Sequence, residues 1–454
     1  MIQIKVSEIV KAVKGTLLCG DPDTIINDLC IDSREIKAGD LFIPIIGNNQ
    51  DAHKYIERAL EVGAATLTSR HSDTVIAKKP YIQVLDTEKA LHDIGYYLRR
   101  MYDIPFIGVT GSVGKTTTRE MISTALMSSR NVYQTSGNLN STFGVPLTLA
   151  RATEGAEVAV LEAGIGQPGE MEILSKLIQP DIAVVTMIGV AHMEHFHTRE
   201  NILKEKLEII NHMSPDGTLF LNGDDELLAD MRGRLPVKTV YYGTKDWCDY
   251  RAENIHMDSY RYVYDYVHDD KKVTVTLNAL GRHNVANSLV GMAIADYLGL
   301  NLKKAACAFE TFRGIRQRLI QIPGKYTIID DTYNASPDSM RASINVLADL
   351  PEDGKKILVF GDMFELGADS EKYHYEVGQY LADKKIDTLV VVGDLAQNIM
   401  KAVQDAGSQI QCYSFKDNGE VALFLLSVMM PEDVVLIKGS HGMNLSEIVS
   451  NLMG

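Results

Sequence analysis

The run GVTGSVGKTTT, Gly108–Thr118, is the stretch whose residue types point most directly to chemistry. Gly111 and Gly114 allow backbone N–H groups to turn inward onto phosphate oxygens. Lys115 can reach a β- or γ-phosphate, and the Thr116 hydroxyl can ligate Mg²⁺. A short apolar strand, Phe106–Val109, leads in and a helical stretch leads out, so the positive end of a helix faces the same charge. A strict GxxxxGK[ST] pattern needs glycine at 109, where Val109 stands. The run reads as an ATP site without choosing among the many reactions that use ATP.

Further groups lie at strand ends. Glu162 closes the strand VAVLEAG and can hold a nucleotide-bound Mg²⁺ or be an ordinary strand-end acid. In AHMEHFH, His192 directly follows an apolar strand and is placed to enter a site, whereas His195 and His197 read as a surface cluster; the spacing is not HExxH. In ENILKEKLEIINHM, Lys206 shares the apolar stripe with Ile202, Leu203, Ile209 and Ile210, and Lys204, Glu205 and Glu208 do not. A lysine there either snorkels or is chemically special. His283, Asn284 and Asn287 in GRHNVANS can read an adenine edge or a phosphate, or Asn284 can cap a helix. IIDDTYNASPDSM (328–340) and VFGDMFELG (359–367) both place acids and turns at strand C-termini, and together they point to a site.

These positions require particular elements. Strand candidates at Phe106–Val109, Val158–Leu161, Ile182–Met187 and Thr218–Leu221, mostly separated by helical stretches, predict a parallel sheet covered on both faces. Ile328–Ile329, Ile357–Phe360, Leu389–Val392 and Val434–Ile437 each run into a polar or glycine turn, predicting a small doubly wound domain with ligands at the strand C-termini. Residues 238–278 read as an antiparallel meander in which Tyr260, Tyr262, Tyr264 and Tyr266 alternate; they form one face of an exposed strand in preference to a nucleobase-stacking ladder. Helices are expected at Tyr55–Val62, ended by Gly63, and at Glu88–Met101. The α/β chain divides into residues 1–85, 86–314 and 315–454.

With 454 residues the chain has length enough for about three domains. Its net charge of −15 excludes a general nucleic-acid coat or a binder of anionic membranes. Five scattered cysteines with no CxxC argue against a disulfide framework or zinc site and for a reducing compartment. MIQIKVSEIVKAVKG lacks a signal pattern, and the apolar stretch around Val421–Met430 is too short to span a bilayer. The expectation is a cytoplasmic protein.

Taken together, these phrases resemble the Mur ligase family over nearly the whole chain. DSREIKAGDLFIPIIG with DAH is similar to its UDP-binding N-terminal domain. TGSVGKTTT is the family's form of the phosphate loop, which accounts for Val109, and TSGNLNSTFGVPLT, EAG, the K-x-E around Lys206 and GRHNVAN are similar to central-domain motifs. DDTYNASP and GDMFELG resemble the branch that adds D-alanyl-D-alanine. Ser336 stands where that branch usually has Asn, and His441 where the family's KGSR phrase has Arg.

The resemblance implies three domains: a small α/β UDP-binding domain, a central P-loop ATPase-like parallel sheet and a C-terminal Rossmann-like domain. It implies an ATP-dependent amide ligase that adds D-alanyl-D-alanine to a UDP-N-acetylmuramoyl-tripeptide, a monomer, with no nucleic-acid partner and no membrane insertion. Gly111, Ser112, Val113, Gly114, Lys115, Thr116 and Thr117 would bind ATP phosphates, and Asn284, Asn287, Arg318 and Asp331 the nucleoside. Thr116 and Glu162 would hold one Mg²⁺, with His192 and Lys206, the lysine N-carboxylated, serving a second; Lys115, Lys206 and His192 would be catalytic. Ser33 and Arg34 would contact the UDP, Asn138, Asn140 and Ser141 the muramoyl substrate, and Tyr333, Asn334 and Ser336 the dipeptide. A folylpolyglutamate-type enzyme, another Mur ligase and a non-ligating P-loop switch remain the rivals.

Overall fold

The structure, a computed structural model, describes residues 3–47, 50–70, 78–152, 155–190, 193–258, 260–312, 318–351 and 353–454. Its backbone is organised around three large sheets. A five-stranded sheet carries, in spatial order, Thr16–Cys19, Tyr81–Gln83, Ala65–Thr68, Asp40–Phe42 and Asp28–Cys30, parallel except for the first pair. Beside it His53, buried, bonds Asp51 through Nδ1 at 2.6 Å and accepts from the Ser69 N–H at Nε2, 3.0 Å, tying the loop before Ile56–Val62 to the sheet.

The nine-stranded central sheet has a parallel core in the order Thr218–Asn222, Ile182–Val185, Phe106–Thr110, Val158–Glu162 and Val132–Gln134. Alternate residues of these strands enter different cores, as a period of two requires. Ala159, Leu161, Ala183, Val185, Leu219 and Leu221 join the core beneath Thr87–Arg99 and Glu170–Ile178. Val109, Val160, Val184 and Phe220 join the one beneath Lys115–Met127 and His283–Tyr297. Residues from the N-terminal segment, including Val6, Ile9 and Leu29, share the first core, so the N-terminal and central sheets are packed through common apolar side chains.

The structure departs from two of these expectations. Lys238–Gly243 is not the first strand of an antiparallel meander; it pairs parallel with Thr218–Asn222 and extends the central sheet. Only Tyr250–Asp258, Arg261–His268 and Lys271–Leu277 run antiparallel, on that sheet's edge. The tyrosine face is not exposed either. Tyr262, Tyr264 and Tyr266 are buried, the last two directing their hydroxyls to Ser288 at 2.9 Å and Asp296 at 2.7 Å on His283–Tyr297. That helix covers the face, and alternation alone does not reveal a covering element distant in sequence.

The six-stranded C-terminal sheet runs Arg318–Gln321, Thr327–Asp331, Val434–Lys438, Lys356–Gly361, Thr388–Val392 and Gln411–Phe415, all parallel but the antiparallel first strand. The two edge strands were not anticipated, because each is short and part-exposed and so lacks the continuous apolar run of a buried parallel strand. No helix among the described residues is long and apolar enough to cross a membrane.

Candidate active site

The phosphate loop is built by the strand Phe106–Thr110, buried at every residue, and the helix Lys115–Met127. Gly114 caps that helix at φ +84°, a left-handed conformation that glycine adopts without strain. At Gly111 the constraint is space: a Cβ would sit 1.9 Å from Thr186 Oγ1. Thr186 Oγ1 in turn donates to the Val113 carbonyl at 2.6 Å. Lys115 Nζ donates to the Gly111 carbonyl at 2.8 Å, so the ammonium lies back across the loop it would serve.

Glu162, 1% exposed, ends the neighbouring strand. Its Oε2 accepts from Thr116 Oγ1 at 2.9 Å and its Oε1 from Asn140 Nδ2 at 2.7 Å. Thr116 and Glu162 thus present hard oxygen donors beside a phosphate loop, the donor type Mg²⁺ takes. Among the described residues no three His, Cys, Asp or Glu side chains converge as a metal cage. Two such donors would leave the remaining positions of an octahedral Mg²⁺ to phosphate and water oxygens.

Arg119 is a residue the sequence reading missed. It is 3% exposed, with Nη1 3.9 Å from Glu162 Oε2, and it also donates to the Thr135 carbonyl and Glu120. Its position four residues after Lys115, on the same helix face, was the available signal.

Lys206 is buried, at 2% exposure, in the helix Arg199–Leu207. Burial first, and then the positive charge of Lys115, holds its pKa well below the usual lysine value. Glu205 does not behave as expected: it is buried and accepts from the Gly169 and Met171 N–H groups at 2.8 and 3.0 Å, at the start of Glu170–Ile178. His192 lies outside the described residues; His195, three positions on in the sequence, is exposed beside Glu194.

Across the cleft stands the C-terminal sheet. The Arg318 guanidinium pairs with Asp330. Asp331 accepts from Lys438 Nζ at 3.0 Å and Ser343 Oγ at 2.6 Å, and Lys438 Nζ also donates to the Asn334 carbonyl at 2.8 Å. Lys438, 3% exposed, fixes the Asp331–Asn334 turn from a strand more than a hundred residues away, and local patterning carried no sign of it. Tyr333 lies with its ring centroid 5.9 Å from that of His441. Ser336 caps the helix Pro337–Asp349.

Asn284 does not cap its helix, whose N-cap is Arg282. It donates to the Leu280 carbonyl at 2.6 Å and accepts from Asn287 Nδ2 at 2.9 Å, while Asn287 accepts from Thr118 Oγ1 at 3.0 Å. The pair therefore abuts the phosphate-loop helix.

One cleft of about 1700 Å³ brings together Ser112–Thr117, Asn138, Asn140, Glu162, Asn284, Asn287, Arg318, Asp331, Tyr333, Asn334 and Ser336. Ser33, Arg34, Gly111, Ser141 and Lys206 are not in its lining. Ser141 accepts from the Gly144 N–H at 3.2 Å, and Arg34, mostly exposed, folds onto Asp32, whose pKa its hydrogen bonds pull down to about 2.

A phosphate loop on a parallel sheet, faced across a cleft by the strand ends of a second parallel sheet, defines a nucleotide-binding α/β protein whose site lies between domains. Residues 109–295 match the Mur ligase middle domain and residues 315–441 the Mur ligase, glutamate ligase domain. The chain is 35% identical to the UDP-N-acetylmuramoyl-tripeptide–D-alanyl-D-alanine ligase of Bacillus subtilis, covering 100% of this chain and 99% of that one. Its structure is similar to a crystal structure of MurF from Acinetobacter baumannii, with a TM-score of 0.91, 29% identity and coverage of 100% and 99%. It is also similar to MurF from Thermotoga maritima in complex with ADP, with a TM-score of 0.83, 28% identity and coverage of 94% and 97%. The chain belongs to the Mur ligase family.

Proposed function

We propose that this chain is an ATP-dependent ligase that joins D-alanyl-D-alanine to UDP-N-acetylmuramoyl-tripeptide during synthesis of peptidoglycan precursors. The observation that carries the reading is the opposition of the Lys115 loop and the Tyr333–Asn334 turn across one cleft, in a chain that aligns end to end with relatives of that name. In this reading the chain has a UDP-anchoring domain at residues 1–85, a central domain at 86–314 and a C-terminal domain at 315–454, a division supported by the confinement of each large sheet to one segment.

The tripeptide's terminal carboxylate attacks the γ-phosphorus of ATP, forming an acyl phosphate and releasing ADP. The dipeptide amine then attacks the acyl carbon, and the tetrahedral intermediate expels phosphate as the nitrogen loses its proton. Lys115 and the loop N–H groups stabilise charge on the transferring phosphoryl group. Thr116 and Glu162 hold Mg²⁺, which when bound neutralises phosphate charge. Lys206 would serve a second ion with His192: its lowered pKa favours the neutral amine, which adds CO₂ and releases a proton to solvent, leaving an N-carboxylated, anionic side chain. Asn284, Asn287, Arg318 and Asp331 orient the nucleoside, Asn138, Asn140 and Ser141 the muramoyl group, Ser33 and Arg34 the UDP, and Tyr333, Asn334 and Ser336 the dipeptide. The enzyme acts as a cytoplasmic monomer without a nucleic-acid partner; its net charge of −15 and the burial of its tyrosine ladder support the last point.

The test is ADP formation with and without each substrate. A ligase forms stoichiometric ADP and amide only when UDP-peptide and D-alanyl-D-alanine are both present. ADP produced at the same rate without either one sinks the reading in favour of a P-loop switch.

A further inference from the structure

We propose that Asp338 is a positioning residue that couples occupancy of the phosphate loop to docking of the C-terminal domain, acting through the connecting loop at residues 186–190. That loop follows the strand Ile182–Val185. On one side it is bonded to the phosphate loop: the Ser112 N–H donates to the Met187 carbonyl at 2.9 Å, and Thr186 Oγ1 donates to the Val113 carbonyl at 2.6 Å. From behind, Asn222 Nδ2 donates to the Thr186 carbonyl at 2.9 Å, and the Ile188 N–H donates to Asp225 Oδ2 at 2.8 Å. Arg199 donates to the Ile188 carbonyl at 3.1 and 2.7 Å. These bonds join Ser112 and Val113 directly to Thr186 and Met187, in the segment that continues into Gly189 and Val190.

Val190 turns the other way. Its N–H donates across the cleft to Asp338 Oδ2 at 3.2 Å. The approach is close enough that a Cβ on Gly189 would lie 2.2 Å from the same oxygen. Asp338 is in the first turn of Pro337–Asp349, whose start is fixed by the Ser336–Ser339 capping box. The carboxylate therefore moves with the C-terminal domain, and the Val190 N–H has this acceptor only when that domain is docked.

One loop thus has bonds to the phosphate loop on one side and a docking-dependent bond on the other. Any nucleotide-induced change in the loop that favours the Val190–Asp338 bond favours docking, and by linkage docking favours the nucleotide by the same factor. A second bridge between the domains, Tyr262 OH to Asp349 Oδ2 at 3.2 Å, sits at the far end of the same helix and does not touch the 186–190 loop. It supplies the control. The inference requires nucleotide binding at the phosphate loop but not ligation.

Hydrogen exchange of the full-length protein with and without ADP, read on peptides covering Val190, tests the coupling. In wild type ADP should slow exchange of the Val190 amide by about fivefold or more, and in Asp338→Ala by less than about twofold. The same variant should bind ADP about threefold or more weakly by calorimetry, as reciprocity demands. Asp338→Asn, which keeps a carbonyl acceptor, should restore most of both effects, and Tyr262→Phe should leave the ADP response intact. Should Asp338→Ala not fold, Asp338→Ser, a residue suited to a helix start but too short to span the gap, makes the same comparison. Wild-type protection and ADP affinity in the folded variant would overturn the coupling, as would equal loss of the response in Tyr262→Phe. Absence of ADP binding in wild type would instead count against the functional reading.

Discussion

Lys115 is a charge donor in the loop and contributes little packing, so Lys115→Ala should fold normally and lose more than tenfold in kcat/KM, over ~1.4 kcal/mol of transition-state stabilisation. A cooperatively folded variant retaining more than about a tenth of that value would remove the loop from the chemistry. Lys206 gives a prediction about stability. Its folded pKa lies below the unfolded value, so the unfolded state binds more protons in the window between them. Its contribution is therefore unfavourable at low pH and is relieved as pH rises through the folded pKa towards about 10. Lys206→Met should be more stable than wild type at neutral pH in CO₂-free buffer, and chemical denaturation should show the gap narrowing as pH rises. A gap independent of pH would mean that burial does not lower the lysine's pKa. Helical spacing made the burial of Lys206 legible. The same reasoning mislaid Glu205, because the groups it bonds, at Gly169 and Met171, belong to another helix.

At the scale of elements, the covered tyrosine face changes what the edge strands do. Tyr264 is fully buried between Arg261–His268 and His283–Tyr297, and Tyr264→Ala should cost about 3–5 kcal/mol in unfolding free energy. Tyr266→Phe removes one of the bonds to Asp296, which keeps His268 and Lys271, and should cost only about 1–3 kcal/mol. If urea unfolding found both substitutions neutral, the face would be solvated after all. The parallel strands were legible because each buries both faces and so reads as an apolar run, as Val158–Glu162 does. The tyrosine strand was ambiguous because its partners are supplied by a helix beyond the next strand.

For the whole molecule, the proposed substrates arrive from opposite ends. Arg34 is exposed and, among the described residues, pairs with Asp32, whereas Asn334 sits in the cleft with its carbonyl held by Lys438. Arg34→Ala should raise KM for the UDP-peptide, with KM for D-alanyl-D-alanine nearly unchanged; Asn334→Ala should do the reverse, each by about 1–3 kcal/mol. Equal shifts in the same KM would end the two-ended picture. Point substitutions are needed because removing residues 1–85 would strip Val6, Ile9 and Leu29 from the core they share with Leu91 and Leu98. That shared packing was not visible in the sequence, which divided the chain by motif and could not show which apolar faces meet. The Asp331–Lys438 and Val190–Asp338 contacts were hidden for the same reason: each joins segments more than a hundred residues apart.

Phosphate release measured across a small panel of UDP-muramoyl peptides and amines is the sharpest test of the proposed ligation. Release should require a UDP-N-acetylmuramoyl-tripeptide and D-alanyl-D-alanine together, with one amide formed per phosphate. Equal rates with a single amino acid such as glutamate, or with a UDP-muramoyl acceptor lacking the tripeptide, would contradict it.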